Sequence, residues 1–109
     1  MKRYFVYILT NQRHTTLYTG LTNSVERRIP EHKNKKNKRS FSARYNLNKL
    51  VYFEGHKSIK MAIRREKYIK NKGRSYKIKL IMTMNPFWLD LFEELSGAAR
   101  GAYLQEQSP

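Results

Sequence analysis

The sequence predicts one small domain of mixed α/β class, with strands near the N-terminus and helices after them. Three observations predict this. The chain has 109 residues, enough for one hydrophobic core. Two runs rich in aromatic and β-branched residues, Tyr4 to Leu9 and Thr16 to Leu21, flank a short polar turn and read as an antiparallel pair. Beyond Ser58 the apolar spacing changes to that of a helix.

The elements follow in order. Tyr4 to Leu9 reads as a buried strand, and Asn11-Gln12-Arg13-His14 as the turn. In the second strand Tyr18 and Gly20 share one face, and Leu17, Thr19 and Leu21 the other. Tyr7 sides with Phe5 and Leu9, so a suitable register brings Tyr7 and Tyr18 onto a common face. Asn23-Ser24-Val25-Glu26 has the pattern of an N-cap with an acidic residue three positions on. A helix is therefore expected from Ser24 to the mid-thirties. Pro30 falls inside it, where proline costs roughly 3 kcal/mol and kinks the axis. Asn34 to Arg39 is a basic, solvated stretch, and Leu50 to Glu54 is a third strand. Ser58 begins a second helix with Ile59, Ala62, Ile63 and Ile69 on one stripe, and Gly73 ends it. Tyr76 to Met84 is a third helix, and Asn85-Pro86 is expected to cap a fourth that runs to Leu95. Ser96 to Pro109 is small, polar and aperiodic, so the domain is expected over 1–95 with a disordered tail over 96–109.

Lys and Arg number 23 against 8 Asp and Glu, a formal net charge of +15. That imbalance predicts a polyanionic partner, nucleic acid first, because each neutralised phosphate releases counterions. A membrane-surface helix would set its basic residues opposite a broad apolar face. Here they are spread over several elements, so no membrane partner is expected. The absence of cysteine excludes disulfides and thiolate metal sites. His14, His32 and His56 lie too far apart for zinc-site spacing. The apolar run after Met1-Lys2-Arg3 ends at Leu9, too short for a signal sequence or a membrane span. The chain reads as soluble and cytoplasmic.

Several residues are candidates for chemistry. Arg28 and His32 are one helical turn apart, beside Val25 and Ile29, and so turn toward the sheet; Arg27 points to solvent. Both inward residues can equally edge the core or touch phosphate. Glu66 is the only acidic residue between Glu54 and Asp90, and its helix phase points it inward. A buried carboxylate needs a cation. Lys70 at i+4, Arg28 and a divalent metal all satisfy that need. Tyr7 and Tyr18 suit a core as readily as a site. Gly20 is a close-approach or bulge position. Arg27, Lys33, Lys35, Lys36, Lys38, Arg39, Lys67 and Lys70 belong to basic stretches that together suit a phosphate-tracking surface, with Tyr45, Tyr68 and Tyr76 available for stacking.

Together these residues resemble the GIY-YIG nuclease domain. Its two-part signature reads here as Phe5-Val6-Tyr7 and Tyr18-Thr19-Gly20, followed by Arg28, His32 and Glu66 in order. The resemblance covers Arg3 to Leu95. It is nearest to small stand-alone bacterial members, which are similar to the N-terminal nuclease domain of the excision-repair endonuclease, a DNA-repair enzyme. Phe5 stands where the first motif has glycine, and Thr19 occupies the middle of the second. Pro30 lies between Arg28 and His32.

The resemblance implies a three-stranded antiparallel sheet flanked by helices. It also implies hydrolysis of a DNA phosphodiester with one Mg²⁺ or Mn²⁺ ligated by Glu66. Arg28 would neutralise charge on the phosphate. Tyr7 or Tyr18 would orient or deprotonate the attacking water, with His32 a possible helper. An ordinary tyrosine, with a pKa near 10, needs a nearby cation to act as base at neutral pH. The basic residues named above, with Gly20, would contact the nucleic acid. The family's further asparagine corresponds to Asn85 or Asn71, although Asn85 before Pro86 is more simply an N-cap. Such nucleases commonly use attached domains to choose their site, so a partner protein supplying specificity is expected. The alternatives are a nucleic-acid-binding module with weak or no cleavage, and a protein of structured RNA with no need for Glu66.

Overall fold

The computed structural model describes residues 3–33 and 45–97. In chain order its elements are β1 (Tyr4–Thr10), β2 (Leu17–Thr22), α1 (Val25–Lys33), β3 (Lys49–His56), α2 (Ile59–Asn71), α3 (Arg74–Met84) and α4, a short helix over residues 92–97. The strands form one antiparallel sheet in the order β2-β1-β3.

The central place of β1 explains its sequence. Its odd residues Phe5, Tyr7 and Leu9 pack with Val25 and Ile29 of α1 and with Leu47, Leu50 and Leu95. Its even residues Val6 and Ile8 pack on the other face with Ala62 and Ile69 of α2 and Ile81 of α3. Phe5 to Leu9 is therefore buried without interruption, because helices cover both faces. Burying each such side chain contributes about 1.5–3 kcal/mol. Against β3 the register slips between Ile8 and Leu9: Ile8 meets Tyr52, but Leu9 meets Leu50. This bulge puts the consecutive residues Val51 and Tyr52 into the same core cluster.

The helix starts follow local chemistry. The Ser24 carbonyl accepts from Arg28 N at 2.9 Å, so Ser24 caps α1, and the helix continues through Pro30. Ser58 caps α2, its hydroxyl accepting from Met61 N at 3.4 Å. Gly73 separates α2 from α3, which starts at Arg74, two residues before the predicted Tyr76.

Two expectations are corrected. The buried stripe of α2 is Ala62 and Ile69, with Arg65 and Glu66 half-buried between them, whereas Ile59 and Ile63 are exposed. The apolar count of the segment was right, but its phase is set by the small Ala62, which lets the helix approach the sheet. Nor does Asn85-Pro86 open a helix running to Leu95. Asn85 is buried at the C-terminal end of α3; its amide donates to the carbonyls of Val51 (3.2 Å) and Leu89 (2.7 Å), and its Oδ1 accepts from Leu89 N (2.9 Å). Those bonds hold an irregular turn in which Trp88 adopts a φ of 56°. Helix returns only at residues 92–97. Asn34 to Arg39, and the expected tail beyond Gly97, lie outside the described residues.

Candidate active site

The site grows from the β1–β2 pairing. Tyr7 lies opposite Gly20, so Tyr18, two residues from Gly20, falls on the same face. The two rings are 6.4 Å apart between centroids and tilted by 42°. The close approach at Gly20 is made by the Tyr7 ring: a Cβ at Gly20 would meet Tyr7 Cζ and its hydroxyl at 2.5 Å. Gly20 is itself buried, and its lack of a side chain gives the Tyr7 ring its room.

We expect Gly20→Ala to destabilise the fold by about 1–3 kcal/mol through overpacking. For a domain of this size that lowers the melting temperature by roughly 5 °C or more. An unchanged thermal melt would disprove the packing role.

Packing of Val25 and Ile29 under α1 brings Arg28, half-buried, to the phenols of Tyr7 and Tyr18, and it hydrogen-bonds to both. Burial acts to lower the Arg28 pKa, but these two partners outweigh it and raise the value above the usual one. Tyr7 is fully buried, and its pKa is pushed up to about 12. Desolvation is the first cause and the neighbouring Tyr18 the second, only partly offset by Arg28. Tyr7 is thus a neutral phenol near pH 7. Tyr18 is half-buried, the more accessible of the two.

Glu66 projects from α2 with its side chain 19% exposed, and Lys70 Nζ lies 3.5 Å from its carboxylate. The charge of Glu66 reaches Tyr7 and helps to keep it protonated. The site therefore gathers Tyr7, Tyr18 and Arg28, with one carboxylate in electrostatic range. Among the described residues no three His, Asp or Glu side chains cluster as metal ligands. One carboxylate still fits a hard cation that keeps most of its waters.

Arg27 is exposed and, with Arg28 and Asn23, lines an open groove of about 350 Å³ whose apolar wall includes Leu21 and Ile59. Lys67 and Lys70 are exposed on α2. His32 follows Arg28 by one turn of α1, but its side chain and that of Lys33 lie outside the described residues, as do Lys35, Lys36, Lys38 and Arg39 altogether. Asn71 is exposed at the end of α2, and Asn85 spends its amide on the turn after α3.

A second polar cluster escaped the sequence reading. Glu54 on β3 accepts from Tyr52 Oη at 2.6 Å and from Arg65 Nε at 2.9 and 3.1 Å, and it pairs with His56 Nε2 at 2.6 Å. Arg65 also donates to Tyr76 Oη at 3.3 Å. Burial would raise the Glu54 pKa, but the hydrogen bonds from Tyr52, His56 and Arg65 bring it below the usual value. Burial and Glu54 together push Tyr52 up to about 12. The signal was present in the alternation Tyr52-x-Glu54-x-His56, which sets all three on one strand face.

Comparison with known proteins decides the family. The family model of the GIY-YIG catalytic domain matches residues 3–79. The chain belongs to the GIY-YIG family. It is similar to a UPF0213 protein of Clostridium perfringens, at 42% identity over 81 residues, covering 71% of this chain and 81% of that protein. A UPF0213 protein of Syntrophus aciditrophicus is 36% identical over 85 residues, covering 74% and 92%. The solution structure of a UPF0213 protein from Bacillus halodurans superposes with a TM-score of 0.52 at 28% identity, covering 81% of this chain and 92% of that one. The GIY-YIG fold expected from the sequence, three antiparallel strands with flanking helices, is thus present. No helix among the described residues is long and apolar enough to cross a membrane.

Proposed function

We propose that the protein is a metal-dependent endonuclease acting on DNA phosphodiester bonds. The observation that carries this reading is the convergence of Arg28 on Tyr7 and Tyr18, with the Glu66 carboxylate in electrostatic range of Tyr7, in a chain of net charge +15 whose match is to a catalytic domain. Arg28 binds a non-bridging phosphate oxygen and stabilises the charge that builds there as the bond breaks. Tyr7 accepts a hydrogen bond from the Arg28 guanidinium and so positions it. Its pKa of about 12 and full burial make it unsuited to accept a proton from solvent. Tyr18, beside the Arg28 guanidinium, orients the attacking water and in its phenolate form takes the water's proton. Glu66 would hold a single Mg²⁺ or Mn²⁺, which when bound supplies Lewis-acid stabilisation of the leaving oxygen. Arg27, Lys67 and Lys70 track the flanking phosphates. His32 is a further candidate catalytic helper, and Lys33, Lys35, Lys36, Lys38 and Arg39 add positive charge suited to phosphate contacts. A partner protein supplies the choice of site, and excision-type DNA repair is the setting that suits the activity.

The test is cleavage of labelled plain, branched and flapped duplex DNA in Mg²⁺, Mn²⁺ or EDTA. Cutting is expected with either metal and none in EDTA. Tyr18→Phe should lower the single-turnover rate by about 10²–10⁴-fold, the usual worth of a general base. Tyr7→Phe should cost far less. Equal losses from the two variants would refute the division of roles. Tight, salt-sensitive binding without cutting in any metal would favour a nucleic-acid-binding module of DNA or structured RNA instead.

A further inference from the structure

Away from Arg28 the α2–α3 corner carries a second group of residues poised for a ligand. Tyr68 and Tyr76 meet edge to face, 5.7 Å between centroids and 82° between planes. Tyr76 is the inner ring, packed against the core cluster of α2 and α3. Tyr68 is the outer one and is 47% exposed. Lys72 Nζ lies 4.9 Å from the Tyr68 centroid and 5.7 Å from that of Tyr76, and the Arg65 guanidinium lies 5.6 Å from Tyr68. Arg65 cannot swing away, because the Glu54 carboxylate grips its Nε and the Tyr76 hydroxyl accepts from Nη1. Glu54 in turn is fixed by Tyr52 and His56. Arg65 is therefore held beside an exposed ring by a network that ends in the sheet, and the exposed Lys72 lies over the same ring.

We infer that Tyr68, framed by Tyr76, Lys72 and Arg65, is a stacking site for an unpaired base of a DNA strand. The inference rests on the nucleic-acid reading of the active site, but uses none of Tyr7, Tyr18, Arg28 and Glu66. Four features favour a base. A half-exposed aromatic ring leaves apolar area in water that any nucleobase can cover, whatever its sequence. The flanking ammonium and guanidinium suit the phosphates on either side of a stacked base. Arg64, Lys67 and Lys77 on the same two helices add positive charge around it. The only carboxylate on these helices is Glu66, already 3.5 Å from Lys70. A duplex keeps its bases stacked on one another, so the site selects a strand with an unpaired base. Tyr68 comes two residues after Glu66, on a different flank of α2.

The experiment is fluorescence anisotropy on the full chain in EDTA, with a labelled oligothymidylate and a strand of equal length made of abasic sites. The wild type should prefer the base-bearing strand. Tyr68→Ala should weaken that binding roughly tenfold while leaving the abasic strand unaffected, and Tyr68→Phe should retain the preference. If Tyr68→Ala binds oligothymidylate as tightly as the wild type, or loses both strands equally, the stacking site is refuted. Cleavage of duplex DNA by the same variants separates this from the active-site reading. Cutting that persists when the stacking effect is missing overturns the stacking site alone. A stacking effect without cutting in any metal upholds this site and overturns the nuclease.

Discussion

Glu66→Gln should abolish metal-dependent cleavage while DNA binding stays equal or tightens. The neutral amide keeps the size of the carboxylate but removes the charge that draws a hard cation. A Lewis-acid contribution of several kcal/mol to the transition state corresponds to about a thousandfold in rate. Affinity for DNA moves the other way, because a negative charge is removed from a basic surface. The fold should hardly notice. Glu66 meets Lys70 at 3.5 Å, and the lysine is 49% exposed, so the pair is a solvent-screened i,i+4 contact of the kind that contributes little. Single-turnover cleavage in Mg²⁺, anisotropy in EDTA and a thermal melt read the three quantities separately. A variant that cuts at the wild-type rate would reduce Glu66 to a surface ion pair with Lys70. A variant that loses cleavage only because it unfolds would be seen in the melt.

The parts of this arrangement that were legible in the sequence are those fixed by short-range periodicity. Alternation along Thr16 to Leu21 put Tyr18 and Gly20 on one face, and the composition of Tyr4 to Leu9 marked a buried strand. The register then needed only the antiparallel turn to set Tyr7 beside Tyr18. Helix phase likewise turned Arg28 inward and Arg27 outward. What escaped depends on partners distant in the chain. The bulge that places Val51 and Tyr52 in one cluster is decided by how β3 meets both layers of core. Asn-Pro is a sound helix-start signal in isolation, yet the Asn85 amide is taken by the Val51 carbonyl 34 residues away, and that bond ends one helix without starting the next. Ile59 and Ile63 look like core residues by type, but the sheet receives α2 through Ala62, one residue out of phase with Ile63. The Glu54–Arg65 pair spans a strand and a helix, so no local pattern in either announces it.

Arg28→Ala should be the variant that damages both chemistry and fold. Arg28 bonds two phenols at once, and one of them, Tyr7, is fully buried. Truncation leaves the Tyr7 hydroxyl without its guanidinium partner in a place that water does not reach, at a cost of about 1–3 kcal/mol. It also removes the charge that faces the phosphate, for which a loss of about 10²–10³ in cleavage rate is expected. Arg28→Lys restores charge but not the planar fork that serves two acceptors, so it should recover part of the DNA affinity and little of the rate. The double variant Tyr7→Phe with Arg28→Ala separates the two effects. Deleting the hydroxyl removes the group that was left unserved, so most of the lost stability should return while cleavage stays low. Thermal melts on the four members of that cycle give the coupling energy, and single-turnover rates on the same four give the catalytic share. If stability fails to recover in the double variant, Arg28 acts on the fold through packing of its stem rather than through Tyr7. If the cleavage rate recovers, Arg28 is a support for the tyrosine and not the group that holds the phosphate.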